Sequence, residues 1–316
     1  MTPAKGKKEA QRLLLKTSLP EGQSAQQLKF SVDYLSFFGY IAVELLKNMN
    51  MKDLEKAVKT FQRWFGLKAD GVVGPMTLRA MEIPRCGCPD VIDEANNVHK
   101  QYMQMQAVIE ENMAKWNKKG LTYAVHSYVG GMSKTAQLKI FAGAWKAWDD
   151  VCGLNIQAIG DVDKADLVLS TGSGSRHSFD GRGGTLAWAY LPNGRDRQLL
   201  MRFDLAETWI SNPRERGILL FNVACHEFGH MIGLTHSKKK GALMAPYYNP
   251  GVAVPQWDDD IPRAEARYGK DTAPQPPKPP KPPKPDPGTP GTDDEEIFHV
   301  QCKGLKVDGY TLFADK

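Results

Sequence analysis

An eleven-residue stretch, HEFGHMIGLTH, constrains this chain more than any other part of its sequence. His226 and His230 lie four positions apart, so on a helix both imidazoles point from one face and can reach the same metal ion. Gly233 permits a turn that most residues resist, and this turn returns His236 to the same point. Three neutral nitrogens leave the fourth tetrahedral position of a zinc ion for water. The stretch therefore predicts an open, catalytic zinc site.

Glu227, the residue after the first histidine, predicts acid–base chemistry at that site. Its carboxylate is placed to take a proton from a water on the zinc ion and to hand it to a leaving amine. Zinc lowers the pKa of such a water towards about 7, so hydroxide becomes available at neutral pH. Cys225 points about 100° away around the helix, and we expect it to be a small buried side chain rather than a ligand.

Length, composition and charge exclude several other classes of protein. The chain has 316 residues, of which 41% are hydrophobic and 24% charged, and this is enough for two compact domains and a tail. The net charge of +5 comes partly from lysines near the C-terminus, so it does not indicate a nucleic-acid-binding face. No stretch reaches the roughly 18 apolar residues of a membrane helix, and no signal-peptide core is visible. The five cysteines are scattered and do not predict a disulfide framework.

Changes in hydrophobic periodicity divide the chain into segments. A helical pattern near the N-terminus predicts a small all-α bundle, and a later mixture of strand and helix patterns predicts a sheet with helices packed on it, an α+β fold. A polar connector between them is a favourable place for proteolytic cleavage. From its composition we expect the proline- and lysine-rich linker to be extended, and we expect the last segment to be too short for a core of its own. The divisions are 1–90 for the helical region, 91–114 for the connector, 115–270 for the mixed region, 271–294 for the linker and 295–316 for the C-terminal segment.

A second short motif, PRCGCPD, places two cysteines within seven positions, between two prolines. Such a rigid setting suits either a disulfide or a metal ligand. The motif by itself leaves both open.

Taken together, the motifs resemble one enzyme family. HEFGHMIGLTH followed by ALMAPYY, with Met244, resembles the zinc site and methionine turn of the metzincins. KWNKKGLTY, FDGRGGTLAWAYLP, RFDLAETW and WDDDIPRAEARYG narrow the resemblance to the matrixins, the matrix metalloproteinase family, over about residues 30 to 269. The resemblance implies a secreted, extracellular zinc endopeptidase with a twisted mixed sheet, preceded by a helical propeptide. It also implies an extended peptide or protein substrate, and we expect a monomer.

PRCGCPD resembles the cysteine switch of matrixin proenzymes. In that device the thiolate of Cys86 takes the fourth zinc position and excludes water, while Arg85 holds the segment through a carboxylate. A metal-bound thiol is deprotonated, so a blocked state of this kind is chemically reasonable. Cys88 departs from the family pattern. It could compete for zinc or pair with Cys86 on oxidation, but we favour a bystander role.

The resemblance also implies further metal sites. The family's structural zinc would be held at Ser173, Ser175, Trp188 and Arg202, none of which is a useful zinc ligand, so we predict that this zinc is absent. A calcium site fares better because hard oxygen ligands suit Ca²⁺. Its predicted ligands are the carboxylates of Asp180, Asp204 and Glu207 and the carbonyls of Gly181, Gly183 and Thr185.

Substrate contacts follow from the same resemblance. The strand TLAWAYL, with Ala187 and Trp188, is similar to the family's edge strand, which pairs with an extended peptide through its backbone. The segment from Pro246 to Tyr248 would form the wall of the pocket for the side chain after the cleaved bond. Asn222 lies where family members vary the depth of that pocket, and it suggests a medium pocket.

The N-terminal region supports an alternative function. GLKADGVVGPMTLRAM also resembles bacterial peptidoglycan-binding modules, so this region would target the cell wall and the enzyme would act there. A third hypothesis, a catalytically inactive binding protein, is disfavoured because every residue of the predicted zinc site is intact.

Overall fold

The structure is a computed structural model that describes residues 24–46, 48–91, 115–192, 194 and 196–270. The connector at 92–114, the linker at 271–294 and the segment at 295–316 lie outside the described residues.

Within residues 24–46 and 48–91, the described part of the N-terminal region, four helices form a bundle. Ser24 and Asn50 each begin a helix with a capping box, in which the side chain accepts from the backbone while a residue three positions later bonds back. Leu35, Val58 and Phe61 are fully buried between the helices and form the centre of one hydrophobic core. The helices are α1 (Ala25–Phe37), α2 (Val43–Leu46), α3 (Met51–Trp64) and α4 (Pro75–Met81). The bundle predicted from the periodicity is thus confirmed.

A six-stranded mixed sheet organises the larger region. Its order is β1-β5-β6-β4-β2-β3, and every neighbouring pair is parallel except β5 with β6. The first strand belongs to the PRCGCPD motif, so that motif is an edge strand of the sheet. The strands are β1 (Arg85–Cys86), β2 (Gly120–Val125), β3 (Asn155–Ala158), β4 (Leu167–Gly172), β5 (Thr185–Ala189) and β6 (Leu199–Asp204), with a separate parallel pair, β7 (Trp209–Ile210) and β8 (Ile218–Leu219).

Three more helices complete this region, α5 (Lys134–Asp149), α6 (Leu220–Met231) and α7 (Asp260–Tyr268). Trp145 of α5 stacks on Phe228 of α6 with ring centroids 3.7 Å apart, which fixes the two helices against each other. The indole N–H of Trp148 donates to the carbonyl of Cys225 at 2.8 Å. Helix α6 is therefore held firmly within the second hydrophobic core, and the predicted α+β fold is confirmed.

One predicted boundary is wrong. The sequence pattern indicates a helix from about 215 to 233, whereas α6 begins at Leu220. Gly217 has a φ of 154°, and the two residues after it pair with β7 instead of starting the helix. Tertiary pairing overrides the local helical pattern here.

Candidate metal centre

Helix α6 and the turn after it bring three imidazoles together. His226 and His230 project from one face of α6, and Gly233, with a φ of 100°, reverses the chain so that His236 returns to the same point. A Cβ is disfavoured at this φ, which is why glycine stands there. One donor atom from each histidine and the Sγ of Cys86 all lie within 4.8 Å of one another.

The orientation of each imidazole is set by a hydrogen bond at Nδ1. An oxygen that only accepts hydrogen bonds faces each Nδ1, so this nitrogen carries the proton and Nε2 keeps its lone pair. The acceptors are the Leu243 carbonyl for His226 at 2.7 Å, the Leu234 carbonyl for His230 at 2.6 Å and the Asp90 carboxylate for His236 at 2.8 Å.

The unpartnered atoms of the site fit a zinc ion. The Nε2 atoms of His226 and His236 and both carboxylate oxygens of Glu227 are buried without a hydrogen-bond partner in the described part of the chain. Buried polar atoms of this kind are costly unless a ligand satisfies them. Burial also lowers the pKa of His226 to about 3, so this ring is neutral, the form that binds metal. Imidazole nitrogens with a thiol sulfur are typical zinc donors.

Cys86 reaches this point because its segment is bonded on both sides. Its Sγ lies 3.4 Å from Nε2 of His230, and its N–H donates to the Pro246 carbonyl at 2.9 Å. The N–H of Gly87 donates to the Ala187 carbonyl on β5 at 2.8 Å. Burial raises the pKa of the Cys86 thiol, an effect that a bound cation would oppose.

Arg85 holds the segment through a buried ion pair with Asp90. Its Nη2 lies 2.5 Å from the carboxylate, and both side chains are almost wholly buried. The guanidinium also packs on the ring of Phe38 at 3.5 Å and donates to the Tyr34 hydroxyl at 2.8 Å. Burial by itself would raise the pKa of Asp90, but the Arg85 charge holds it at about 2. The carboxylate partner expected for Arg85 is therefore Asp90.

Cys88 lies beside the site without joining the three histidines. Its thiol donates to the Ala189 carbonyl at 3.2 Å, and its N–H donates to Sγ of Cys86 at 3.2 Å. Its Sγ does fall within 4.8 Å of donor atoms of Cys86, Glu227 and His230. Both thiols are free.

A cleft opens beside Cys86 and Glu227. Asn222, Pro246 and Tyr248 are among the residues that line it. The Nδ2 of Asn222 donates to the carbonyls of Pro250 and Val252 at 3.2 and 3.1 Å, and the Tyr248 hydroxyl accepts from the Leu219 N–H at 3.0 Å. Leu186, Val223, Leu243 and Val252 also line the cleft, and local spacing does not predict them, although Leu186 lies within TLAWAYL and Leu243 within ALMAPYY.

The predicted calcium ligands lie in the turn at 180–185 and at Asp204 and Glu207. We call these residues together the carboxylate loop. Its carboxylates accept from nearby backbone N–H groups, and one oxygen of Asp204 is buried without a partner in the described residues. Gly181 and Gly183 have φ values of 104° and 89° and shape the turn. The bonds are Gly183 N–H to Glu207 at 2.5 Å, Thr185 N–H to Asp180 at 2.8 Å and Ala206 N–H to Asp204 at 2.9 Å.

The carboxylate loop carries crowded negative charge. Burial raises the pKa of Asp204, and the charge of Asp180 raises it further. The pKa of Glu207 is raised by burial and then by both neighbouring carboxylates. Ionised carboxylates this close repel each other, so a cation would stabilise the arrangement. Oxygen ligands of this number and charge fit Ca²⁺.

Comparisons with known proteins decide the family. Residues 115–269 match the family model described as "Matrixin", and residues 24–81 match "Putative peptidoglycan binding domain". The chain belongs to the matrixin family.

The similarity to curated relatives covers more of this matrixin than the two matched regions do. It is 31% identical to matrix metalloproteinase-25 of Mus musculus over 277 residues, which are 82% of this chain and 44% of the relative. It is 36% identical to interstitial collagenase B of the same species over 72% of this chain and 47% of the relative. It is 31% identical to the hatching enzyme of Paracentrotus lividus over 80% and 40%. The matrixin thus spans less than half the length of these relatives.

Of the four positions aligned with a structural zinc, Trp188 and Arg202 contact each other, whereas Ser173 and Ser175 lie in the turn that contains His177. The guanidinium of Arg202 lies 6.0 Å from the ring of Trp188, whose indole N–H donates to the His177 carbonyl at 2.8 Å. Ser173 bonds to Nδ1 of His177 through its N–H at 3.2 Å, and Ser175 begins a short 3₁₀ turn. Neither Ala187 nor Trp188 lines the cleft, and the Ala187 carbonyl accepts from the Gly87 N–H of the PRCGCPD segment.

Two carboxylates of this matrixin, Asp90 and Asp260, lie within the sequence motifs, but local spacing does not predict what they bond to. Asp90 bonds to Arg85 and His236, as above. Asp260 accepts from the N–H groups of Leu243 and Met244 at 2.7 and 3.1 Å, and so holds the turn beneath the histidines. Met244 is fully buried and fills the space beside Gly229, where a Cβ would lie 2.3 Å from its sulfur.

Among the described residues, no helix combines the length and the apolar character needed to cross a membrane. Cys225 is buried and its thiol faces the Ala144 carbonyl at 3.8 Å, away from the imidazoles, as expected. His126 and His177 do not belong to a metal-binding donor set within the described ranges.

Proposed function

We propose that this matrixin is a latent zinc-dependent endopeptidase. The observation that carries the proposal is the convergence of the three imidazoles and the Cys86 sulfur within 4.8 Å, beside a buried and unpartnered Glu227. His226, His230 and His236 would hold the ion. Cys86 would be its fourth donor in the latent form.

A zinc ion bound there would lower the pKa of a water and polarise a substrate carbonyl. Glu227 is the general base that accepts a proton from the attacking water and delivers it to the leaving amine. Its carboxylate is fully buried with both oxygens free for this task. Met244 and Gly233 act structurally, because they support the turns that hold the imidazoles.

An extended peptide would bind along the edge of β5. In the latent chain this edge is paired with β1, and Gly87 donates to the Ala187 carbonyl that a substrate would otherwise use. The Pro246 carbonyl on the opposite wall is likewise taken by the Cys86 N–H. Latency therefore has two parts, a thiol at the metal and a strand in the peptide's place. Removal of residues 1 to about 110, or displacement of Cys86, would lift both. In Cys86→Ser the thiol is gone and only the two-residue strand β1 competes with a peptide for the edge of β5, so a substrate would displace it.

The pocket beside Glu227 would receive the substrate side chain that follows the cleaved bond. Asn222 links α6 to the chain at Pro250 and Val252, which limits the depth of the cleft. Tyr248 and Pro246 form its wall. These contacts support a medium, mainly apolar side chain at that position.

The carboxylate loop would bind Ca²⁺ through Asp180, Asp204 and Glu207 and the carbonyls of Gly181, Gly183 and Thr185. The support is the buried, unpartnered oxygen of Asp204 and the raised pKa values of two carboxylates. A divalent cation would offset their mutual repulsion. We retain the prediction that the second, structural zinc is absent.

The test compares three full-length, zinc-supplied chains on a peptide library: wild type, Cys86→Ser and the matched control Cys88→Ser. We expect Cys86→Ser to cleave peptides, while wild type and Cys88→Ser remain inactive until processed. Metal analysis of the same samples should give one zinc per chain. Absence of cleavage by a zinc-loaded Cys86→Ser chain would contradict the proposal.

A second candidate function rests on the match of residues 24–81 to a peptidoglycan binding domain. In this alternative the N-terminal domain carries the protein to a cell wall. Retention of the full chain on purified peptidoglycan, competed by soluble wall fragments, would support it. A chain that is not retained would indicate that the domain is an inhibitory propeptide.

The domain division, a secreted extracellular location and a monomeric state remain part of the proposal.

A further inference from the structure

The third imidazole differs from the other two in where its hydrogen-bond acceptor comes from. His226 and His230 bond to carbonyls of Leu243 and Leu234, which are close in the chain and belong to the same region. His236 bonds to the carboxylate of Asp90, 146 residues away in the PRCGCPD segment. Removal of the N-terminal region would therefore leave two imidazoles with their acceptors and deprive one.

The Asp90 carboxylate is well placed to act on this ring. Its side chain is fully buried, its Oδ1 is 2.8 Å from Nδ1 of His236, and its charge is balanced by Arg85. A second contact, from the Tyr40 hydroxyl to Oδ2 at 2.6 Å, fixes the plane of the carboxylate. A carboxylate that accepts from Nδ1 orients a metal-binding histidine and increases the basicity of its other nitrogen.

We propose that Asp90 is a positioning residue that acts on the zinc ion through His236. It strengthens metal retention in the latent chain independently of Cys86. This rests on the proposed function, since it assumes zinc at the three histidines. The PRCGCPD segment then contributes twice to the metal centre, with a sulfur at the ion and a carboxylate behind one of its ligands. Activation would remove both.

The alternative is that Asp90 only anchors the segment through Arg85. A comparison in the Cys86→Ser chain separates the two, because there the sulfur no longer contributes to metal retention. The variants are Asp90→Asn and the control Tyr40→Phe, which removes a hydrogen bond to the same carboxylate but leaves Oδ1 and His236 untouched. The readout is the rate of zinc transfer from the full chain to an excess of a coloured chelator.

Loss of such a contact typically weakens metal binding about 10- to 100-fold, so we expect Asp90→Asn to release zinc at least about 10-fold faster. Tyr40→Phe should match its parent within about 2-fold, since the contact with His236 is unchanged. Equal release from Asp90→Asn and its parent would overturn the inference and leave the zinc site intact. A wild-type chain that holds no zinc would instead refute the proposed function.

A measurement on the wild type covers the case in which Asp90→Asn does not fold. In the zinc-loaded full chain, long-range proton–nitrogen spectra should place the His236 proton on Nδ1, with a resonance shifted further downfield than those of His226 and His230. The shift reports a carboxylate rather than a carbonyl acceptor. A proton on Nε2 of His236, or a resonance no different from the other two, would overturn the inference.

Discussion

The two predicted metal sites of this chain are built in opposite ways. The histidine site, made of His226, His230, His236 and Glu227, takes its metal donors from one helix and the turn after it, and each imidazole is fixed by a hydrogen bond. The carboxylate loop takes its donors from several segments, and the pKa values of Asp204 and Glu207 are raised because burial and neighbouring carboxylates disfavour the charge.

The difference concerns what keeps each site in shape. Neutral imidazoles do not repel one another, so packing and hydrogen bonds alone can hold the histidine site open for a metal. The carboxylate loop concentrates like charges, which need a cation to be stable. We therefore expect metal removal to change function at the first site and stability at the second.

The largest effect should come from Glu227→Gln in the Cys86→Ser chain. The amide keeps the shape of the side chain but cannot accept the proton, and a general base typically contributes 10²- to 10⁴-fold, so we expect about a 1000-fold loss of peptide cleavage. Zinc content, measured by metal analysis, should stay at that of the parent. Unchanged turnover would refute the role of Glu227 as the general base. Loss of zinc would show that packing and hydrogen bonds alone do not hold the histidine site in shape.

Calcium removal should have the next largest effect, on stability. A site saturated at about 100 times its dissociation constant contributes about 2.7 kcal/mol, which corresponds to a fall of about 5 to 10 °C in Tm when a calcium-selective chelator is added. Scanning calorimetry with zinc present would measure it.

Asp204→Asn provides the matched control for this prediction. It should lower Tm with calcium and raise it without, because the amide removes a repulsive charge as well as a ligand. The same change of Tm in both conditions would show that the carboxylate loop does not depend on a cation.

Asp260→Asn tests whether hydrogen bonds hold the histidine site. Asp260 accepts from the Leu243 N–H, and the Leu243 carbonyl orients His226. The substitution should therefore disturb the orientation of the His226 imidazole through Leu243. Loss of a buried hydrogen bond to a charged group costs about 2 kcal/mol, measurable by urea unfolding. Asp258→Asn, whose carboxylate makes an exposed ion pair with Lys239, should cost much less, because solvent screens such a pair. Equal costs for the two would contradict this support.

The smallest effect is expected at Cys88. Its thiol bonds to a backbone carbonyl and stands outside the set formed by the three histidines and Cys86. Cys88→Ser should therefore leave zinc content unchanged and should not alter the thiol reactivity of Cys86 in the full chain. A gain of Cys86 reactivity would show that Cys88 helps to hold the latent state.

Local spacing made much of the histidine site predictable. His226 and His230 follow from helical geometry and Gly233 from the turn that must follow, whereas Asn222 and Tyr248 were expected only from the family resemblance. The orientation of the Trp188 side chain could not be predicted from local spacing, because it depends on a hydrogen bond to His177 and on contact with Arg202. The start of α6 was missed for a similar reason, since pairing of β8 with β7 decides it.

The sequence by itself determined the three imidazoles, the glutamate beside them, the glycine turn and the α+β fold, because these depend on periodicity within single elements. Only the tertiary structure decided that Asp90 bonds to His236, that β1 pairs parallel with β5 and that Asp260 supports the methionine turn. Asp90 and His236 are 146 residues apart, and contacts at such separations depend on how elements pack, which leaves no trace in local spacing.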